Sequence, residues 1–254
     1  MKKDIYAKPR NISNIKDCDF YHTMDLPTYG TVHGEWDLRG RETAYLGNVD
    51  FKKKRVLELG TASGHICFFM EKQGASVTGY DLSCEQEWDI VPYAKLDYKQ
   101  HVSDRKKHID RINNAFWLAH RLYKSQAKMV YGTVYQIPDK IGEFDICIFG
   151  AILLHLRDPF LALQRGLSHT KETVIITEKL PRFDAPYDRR ALRFLPDAST
   201  CHPFETWWDL TPELVTEFTK ILGFERCQLS YHTQLYSGSN EFEFYTLVAE
   251  RKQK

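Results

Sequence analysis

Net charge, clustered cysteines and long apolar runs are all missing from this chain, and each absence narrows what it does. Its 35 lysines and arginines face 34 aspartates and glutamates, for a formal net charge of +1. The electrostatic footprint that extended contact with phosphate backbones requires is therefore lacking, which argues against a purely electrostatic nucleic-acid binder. The six cysteines (Cys18, Cys67, Cys84, Cys147, Cys201, Cys227) are scattered, with no C-x-x-C pair, and several sit inside apolar runs. They read as reduced thiols of a cytoplasmic protein. No window approaches the length needed to span a bilayer. The opening "MKKDIYAKPRNISN" has two lysines but no apolar core behind them, so no secretory signal is expected. Internal repeats, low-complexity tracts and linkers are also absent.

What is present is ample apolar content, 43% of 254 residues, enough for one large packed domain. Residues 1–50 read as an irregular lead-in that ends in a short helix within "EWDLRGRETAYLGN". Residues 51–254 then alternate strand and helix. "RVLELG" is a buried strand, "HICFFMEKQG" a helix closed by Gly74, and "SVTGYDL" a second strand. Over residues 104–124, Ile109, Ile112, Ala115, Phe116, Ala119, Leu122 and Tyr123 recur at three-and-four spacing and predict a long amphipathic helix. "AKMVYGTVYQIP" and "FDICIFGAIL" are the third and fourth strands. "DPFLALQRGLS" is a helix with Asp158 as N-cap and Pro159 at its first position, and "TVIITEKL" is a fifth strand. A loop-like stretch over 181–210 precedes a helix capped by Thr211 and closed by Gly223. "ERCQLSYHTQ" and "EFEFYTLVAER" then form a hairpin around "SGSN". Parallel strands need helical crossovers, so this alternation predicts an α/β protein with a doubly wound, mostly parallel seven-stranded sheet and a C-terminal antiparallel hairpin. Insertions are expected near 84–107 and 181–210.

In such sheets the ligand lies beyond the carboxyl ends of the strands at the switch point, where the first strand delivers "RVLELGTASGHICFFMEKQGASVTGYDLS" (residues 55–83). Gly60, Ala62 and Gly64 leave the backbone bare for a ligand, and the following helix points its amides the same way. A dinucleotide site would continue as G-x-G-x-x-G, but its last slot is His65, so the turn fits a nucleoside better than a pyrophosphate. Asp81, 21 residues after Gly60, is placed to accept hydrogen bonds from ribose hydroxyls. Glu58 is a candidate for a cationic amino group, reached through a water or the turn. The alternative is a tight strand-to-helix connection with no ligand.

The spacing E-x-G-x-A-x-G followed by "GYDLS" resembles the first motif and the acidic second-strand end of class I S-adenosylmethionine-dependent methyltransferases, and later segments agree. "GTVYQIP" (residues 132–138) looks like the family's third-strand end, which meets adenine; Thr133 stands where the family usually has an acid. "FDICIFGAILLHLRDP" (residues 144–159) resembles the fourth strand and its loop. The resemblance covers roughly residues 20–250. Within the superfamily, "YHTMDLPTYGTVHGEWDLR" and "LLHLRDP" look most like the tRNA wobble-uridine 5-oxyacetate methyltransferase group. The members of that group have a longer helical N-terminal region and use a carboxylated donor, and no arginine dedicated to that carboxylate is identifiable here. The resemblance implies a Rossmann-like fold and S-adenosyl-L-methionine as cofactor. It implies a cofactor site drawn from Tyr21, His22, Glu58, Gly60, Thr61, Ala62, Gly64, Asp81, Leu82, Thr133, Val134, Gly150 and Ala151. Tyr21 and His22 belong to the segment that covers the cofactor, and Trp36 and Arg39 anchor it.

A sulfonium carries its own leaving group, so little acid–base machinery is obligatory beyond orientation. For a hydroxyl acceptor a base helps, and His155 is the first candidate, with Glu178 second. His155 reads equally as a loop-packing histidine, and Glu178 as a strand-end acid accepting backbone amides. The loop holding Arg182, His202, Trp207 and Trp208 is expected to wall the substrate side, with core packing as the other reading of either tryptophan. The "RKKH" run of the first insertion reads as a solvated helix face. No metal site is expected. The leading expectation is methyl transfer to a small-molecule oxygen or nitrogen. A tRNA-modifying methyltransferase, a non-catalytic S-adenosylmethionine-binding protein and a nicotinamide oxidoreductase are the alternatives.

Overall fold

A computed structural model describes residues 4–182 and 189–252. Its chain order begins with a lead-in of three short strands, β1 (Met24–Leu26), β2 (Gly30–Val32) and β3 (Trp36–Asp37), and one turn of helix, α1 (Glu42–Tyr45). The alternating part follows as β4 (Arg55–Leu59), α2 (His65–Lys72), β5 (Ser76–Asp81), α3 (Tyr98–Tyr123), β6 (Lys128–Tyr131), β7 (Phe144–Gly150), α4 (Pro159–Ser168) and β8 (Thr170–Lys179). After β9 (Leu192–Phe194) and β10 (Trp208–Leu210) come α5 (Pro212–Ile221), β11 (Phe224–Tyr236) and β12 (Asn240–Arg251).

The main sheet has the order β3-β11-β12-β8-β7-β4-β5-β6. Strands β8, β7, β4, β5 and β6 are parallel, and β12 inserts antiparallel between β8 and β11. The seven expected strands are all present, and the two residues of β3 add an eighth at the edge. Helix stops and starts follow the sequence signals. Asp158 accepts from the Leu161 amide at 2.9 Å and Thr211 from that of Leu214 at 3.3 Å, while Gly74 and Gly223 follow their helices at φ +95° and +88°. One apolar layer, on the α2 and α3 side, is built around Ile66, Phe68, Met70, Phe116 and Trp117. The other, on the α4 and α5 side, includes Leu163, Leu167, Val215 and Tyr245.

Five local expectations need correction. The lead-in is not wholly irregular: β1 and β2 pair antiparallel, Met24 opposite Val32, and Met24 and Leu26 join the core. Strands of three residues are too short for period-two alternation to register. The helix expected over "EWDLRGRETAYLGN" shrinks to four residues, because Trp36 and Asp37 extend the sheet instead. Helix α3 begins at Tyr98, six residues earlier than its apolar stripe suggested, since its first turns are polar and Asp97 caps the Gln100 amide at 3.0 Å. The third strand stops at Tyr131, and "GTVYQIP" is a turn. Within 181–210, β9 and β10 form a small sheet with Trp208 opposite Phe194; residues 183–188 of that insertion lie outside the described residues.

Candidate functional site

Strand order reverses between β4 and β7, and the cleft opens at the carboxyl ends of these strands, where a doubly wound sheet leaves a crevice. The turn after β4 is built from left-handed residues, Gly60 at φ +82°, Ala62 at +49° and Gly64 at +90°. Gly60 and Ala62 line the cleft, whereas Gly64 does not. A Cβ on Gly64 would stand 2.5 Å from the Phe68 ring and 2.8 Å from that of Phe116, so its bareness serves the packing of α2 against α3. On Gly60 a Cβ would collide with the Ile152 side chain.

Asp81 closes β5 and ties the turn together. One carboxylate oxygen accepts from the Ala62 amide at 2.6 Å and the other from Leu82 at 2.7 Å. Burial pushes its carboxyl up to about 6, with the two amides pulling the other way. Each oxygen keeps a second lone pair for a ligand in the cleft. Leu82, Thr133 and Val134 line the same cleft, as do Gly150 and Ala151 after β7 and Tyr21 and His22 from the lead-in.

Glu58 and Thr61 stand beneath this surface, outside the lining. Glu58 is 4% exposed and accepts from the Thr61 hydroxyl at 2.9 Å; burial, opposed by that bond and reinforced by Asp81, raises it to about 8. The folded protein therefore keeps this proton to about pH 8, while an unfolded glutamate releases it near ~4.3. The native state binds more protons between those values, so stability falls as the pH rises across that window. Glu58→Gln is expected to flatten this decline, read as melting temperature at pH 5 and at pH 8. An unchanged slope would show that Glu58 is ionised in the fold.

His155 lies on the 3-10 turn Leu153–His155 beyond β7 and lines the cleft. Its Nδ1 is 2.5 Å from the Glu205 carbonyl oxygen. A carbonyl only accepts, so Nδ1 carries the proton and Nε2 keeps the lone pair. Burial lowers its pKa, against that hydrogen bond. The neutral, basic form is thereby favoured near pH 7. Glu178, 1% exposed, does not reach the cleft. It accepts from the Leu153 amide at 2.7 Å, and burial raises it to about 8 against the amides of residues 152–154. Its geometry holds the turn that carries His155.

His202, Trp207 and Trp208 also fall outside the lining. His202 is exposed. Trp207 donates from its indole to the Asp89 carbonyl at 2.6 Å and Trp208 to that of Leu156 at 3.0 Å. These tryptophans fasten the wall from behind, and residues of the first insertion face the cleft instead. Trp88 meets the His155 ring edge-on at 5.9 Å. The Asp89 carboxylate accepts from the Arg157 amide at 2.7 Å and from the Tyr135 hydroxyl. Sequence reasoning expected the insertion that carries them to fold over the cofactor edge but named neither residue, nor Asn113, which is 1% exposed and donates to the Leu82 carbonyl at 3.1 Å. A lone amide within the apolar stripe of α3 was the one available signal for it. Among the described residues, no group of three or more His, Cys, Asp or Glu side chains is arranged to hold a metal ion, and no helix is long and apolar enough to cross a membrane.

A family model described as a methyltransferase domain matches residues 33–219. A search of curated proteins gave no match. Among solved structures, the chain resembles an S-adenosylmethionine-dependent methyltransferase from Methanosarcina mazei, at 14% identity over 80% of this chain and 94% of that one, with a TM-score of 0.55. It also resembles the 1,6-didemethyltoxoflavin-N1-methyltransferase of Burkholderia thailandensis, solved with its substrate and S-adenosylhomocysteine, at 13% identity over 84% and 78% with a TM-score of 0.51. A third is the magnesium protoporphyrin IX methyltransferase of Synechocystis, at 12% identity over 83% and 80% with a TM-score of 0.50. At these identities the likeness is one of fold.

Proposed function

The chain belongs to the methyltransferase domain family, and from that premise we propose that it moves the methyl group of S-adenosylmethionine onto an oxygen or nitrogen of a small-molecule acceptor. The observation that carries this reading is the single cleft in which the Gly60–Ala62 turn, Asp81 and the His155 imidazole all meet. The residues fit the donor: the bare turn and the Asp81 carboxylate suit an adenosine, with ribose hydroxyls donating to Asp81 and adenine beside Leu82, Thr133 and Val134. The turn at Gly150 and Ala151 is assigned to the methionine end. Residues 1–50 cover the cofactor through Tyr21 and His22.

When bound, the donor supplies a methyl group on a sulfonium that is its own leaving group. The chain's part is placement, which lowers a barrier of this kind by roughly 7–11 kcal/mol, and proton removal. His155 Nε2 takes the proton from the acceptor, its ring held by the Glu205 carbonyl. Glu178 positions the turn beneath it. Glu58 keeps Thr61 and hence the donor turn in place. The wall that includes Trp88 and Asp89, latched by Trp207 and Trp208, confronts the acceptor. The near-neutral charge of the chain favours a small molecule over tRNA as acceptor, and six free thiols suit the cytoplasm.

The test is calorimetric titration with S-adenosylmethionine, S-adenosylhomocysteine and NADH, followed by a methyl-release screen over small-molecule and tRNA pools. Binding of the two sulfur nucleosides and turnover on a small molecule are expected. Turnover confined to tRNA would move the chain to the wobble-uridine group, donor binding without any turnover would make it a sensor, and binding of NADH alone would end the donor reading.

A further inference from the structure

Besides Asp81, two acids line the cleft, Glu87 and Asp89, and among the described residues no lysine or arginine lines it with them. Glu87 is exposed, with the Lys106 ammonium 3.9 Å away. Asp89 is half-buried, and among the described residues it forms no ion pair. Other half-buried acids of this chain are matched: Glu205 faces Arg105 at 2.7 Å and Asp37 faces Arg39 at 2.8 Å. A charge partly withdrawn from water without a counter-charge is costly to keep, unless a ligand supplies the counter-charge.

The Asp89 carboxylate is fixed in place. Its Oδ2 accepts from the Arg157 amide at 2.7 Å and from the Tyr135 hydroxyl. That hydroxyl in turn accepts from the Asp158 amide at 3.1 Å. Burial, with the Asp89 carboxylate beside it, raises the pKa of Tyr135, so its hydroxyl stays the donor of this bond. The backbone is held as well, since the Asp89 carbonyl accepts from the Trp207 indole at 2.6 Å. Both bonds to the carboxylate end on Oδ2, and among the described residues Oδ1 accepts none. The basic side chains nearby are turned to other partners. The Arg157 guanidinium lies 5.0 Å over the Trp207 ring, and Arg105 pairs with Glu205.

This carboxylate and the base are carried by one loop. Arg157, whose amide holds Asp89, is two residues beyond His155, so their Cα atoms are no further apart than about 7 Å. Trp88, next to Asp89 in the chain, meets the His155 ring edge-on at 5.9 Å. An apolar ring surface therefore adjoins both a base and a pre-oriented carboxylate oxygen. Resting on the acceptor reading above, we propose that Asp89, through Oδ1, binds an ammonium group of the acceptor, and that this cleft takes amines with an apolar body in preference to carboxylates or phosphate esters. The ammonium stays protonated on Asp89. The nucleophile is a separate, neutral nitrogen or oxygen of the same molecule, and its proton goes to His155 Nε2. An anionic acceptor would meet like charge with no basic residue on the lining to offset it.

The test uses three phenols that differ in the charge of their tail: tyramine, para-ethylphenol and para-hydroxyphenylpropionate. Each is titrated calorimetrically, at neutral pH, into protein saturated with S-adenosylhomocysteine. The wild type is expected to bind tyramine about tenfold or more tighter than the neutral phenol, and the propionate more weakly than either. Asp89→Asn keeps an oxygen for the Arg157 amide but removes the charge. It should bring tyramine to within about twofold of para-ethylphenol while S-adenosylhomocysteine binds within about twofold of wild type, and melting curves check that it folds. A second arm does not depend on these probes: methyl release is measured over a small-molecule pool split by ion exchange, and turnover is expected in the fraction that a cation exchanger retains. A wild type that does not prefer tyramine, or an Asp89→Asn variant that still does, would overturn the assignment. So would release confined to the unretained or anion-exchanger fractions, or none from any fraction while the donor binds. A wild type that binds neither S-adenosylmethionine nor S-adenosylhomocysteine would fell the donor reading itself, and this inference with it.

Discussion

His155→Ala is expected to lower turnover by ~10²–10⁴-fold while S-adenosylmethionine binds about as tightly as to wild type. The size of the effect follows from what the imidazole does alone: the Glu205 carbonyl fixes the proton on Nδ1, which leaves Nε2 as the basic atom on the cleft wall. Alanine also removes the ring that meets Trp88 edge-on, so a second variant separates chemistry from packing. His155→Asn keeps an N–H for the Glu205 carbonyl but has no basic nitrogen, and it should be as slow as the alanine variant. Because burial depresses the pKa of His155, the wild-type rate should already stand on its plateau at neutral pH and fall only as acid protonates Nε2. An asparagine variant with wild-type turnover would reduce His155 to a residue that packs the loop.

The parts of this site carried by regular structure were legible in the chain. Gly60 and Asp81 sit where a buried strand ends, and the ends of strands are what periodicity and capping locate. The C-terminal hairpin and the helices capped by Asp158 and Thr211 were legible for the same reason. The acceptor wall was not. Trp88 and Asp89 lie in an insertion without periodicity, and they reach the cleft because the Trp207 indole, 118 positions away from Asp89, holds its carbonyl. Likewise the orientation of His155 depends on a carbonyl 50 positions later. Position marked Glu178 and Glu58 as acids near strand ends; the amide-accepting reading of Glu178 is the one its geometry follows, while the hold of Glu58 on the Thr61 hydroxyl was not legible. The left-handed Gly64 illustrates the limit from the other side: its type and position suit a ligand turn, while the contacts that demand it are the rings of Phe68 and Phe116.

Asp81→Ala is expected to weaken S-adenosylhomocysteine at least tenfold, since each hydrogen bond to an ionised carboxylate contributes about 1.5–3 kcal/mol. Alanine also strands the amides of Ala62 and Leu82, so part of that loss belongs to a loosened turn. A ligand-side deletion isolates the ribose contribution: wild type should prefer adenosine to 2′,3′-dideoxyadenosine, and Asp81→Ala should bind the two alike. Proton linkage supplies an independent check. With its carboxyl raised to about 6 in the free protein, Asp81 is ionised at pH 7 and must lose a proton before binding at pH 5. Nucleoside affinity should therefore fall as the pH drops through 6, by roughly tenfold at pH 5 if only the carboxylate binds, and the alanine variant should show no such slope. Equal discrimination between the two nucleosides in wild type and variant, with superimposable pH profiles, would remove the ribose from Asp81.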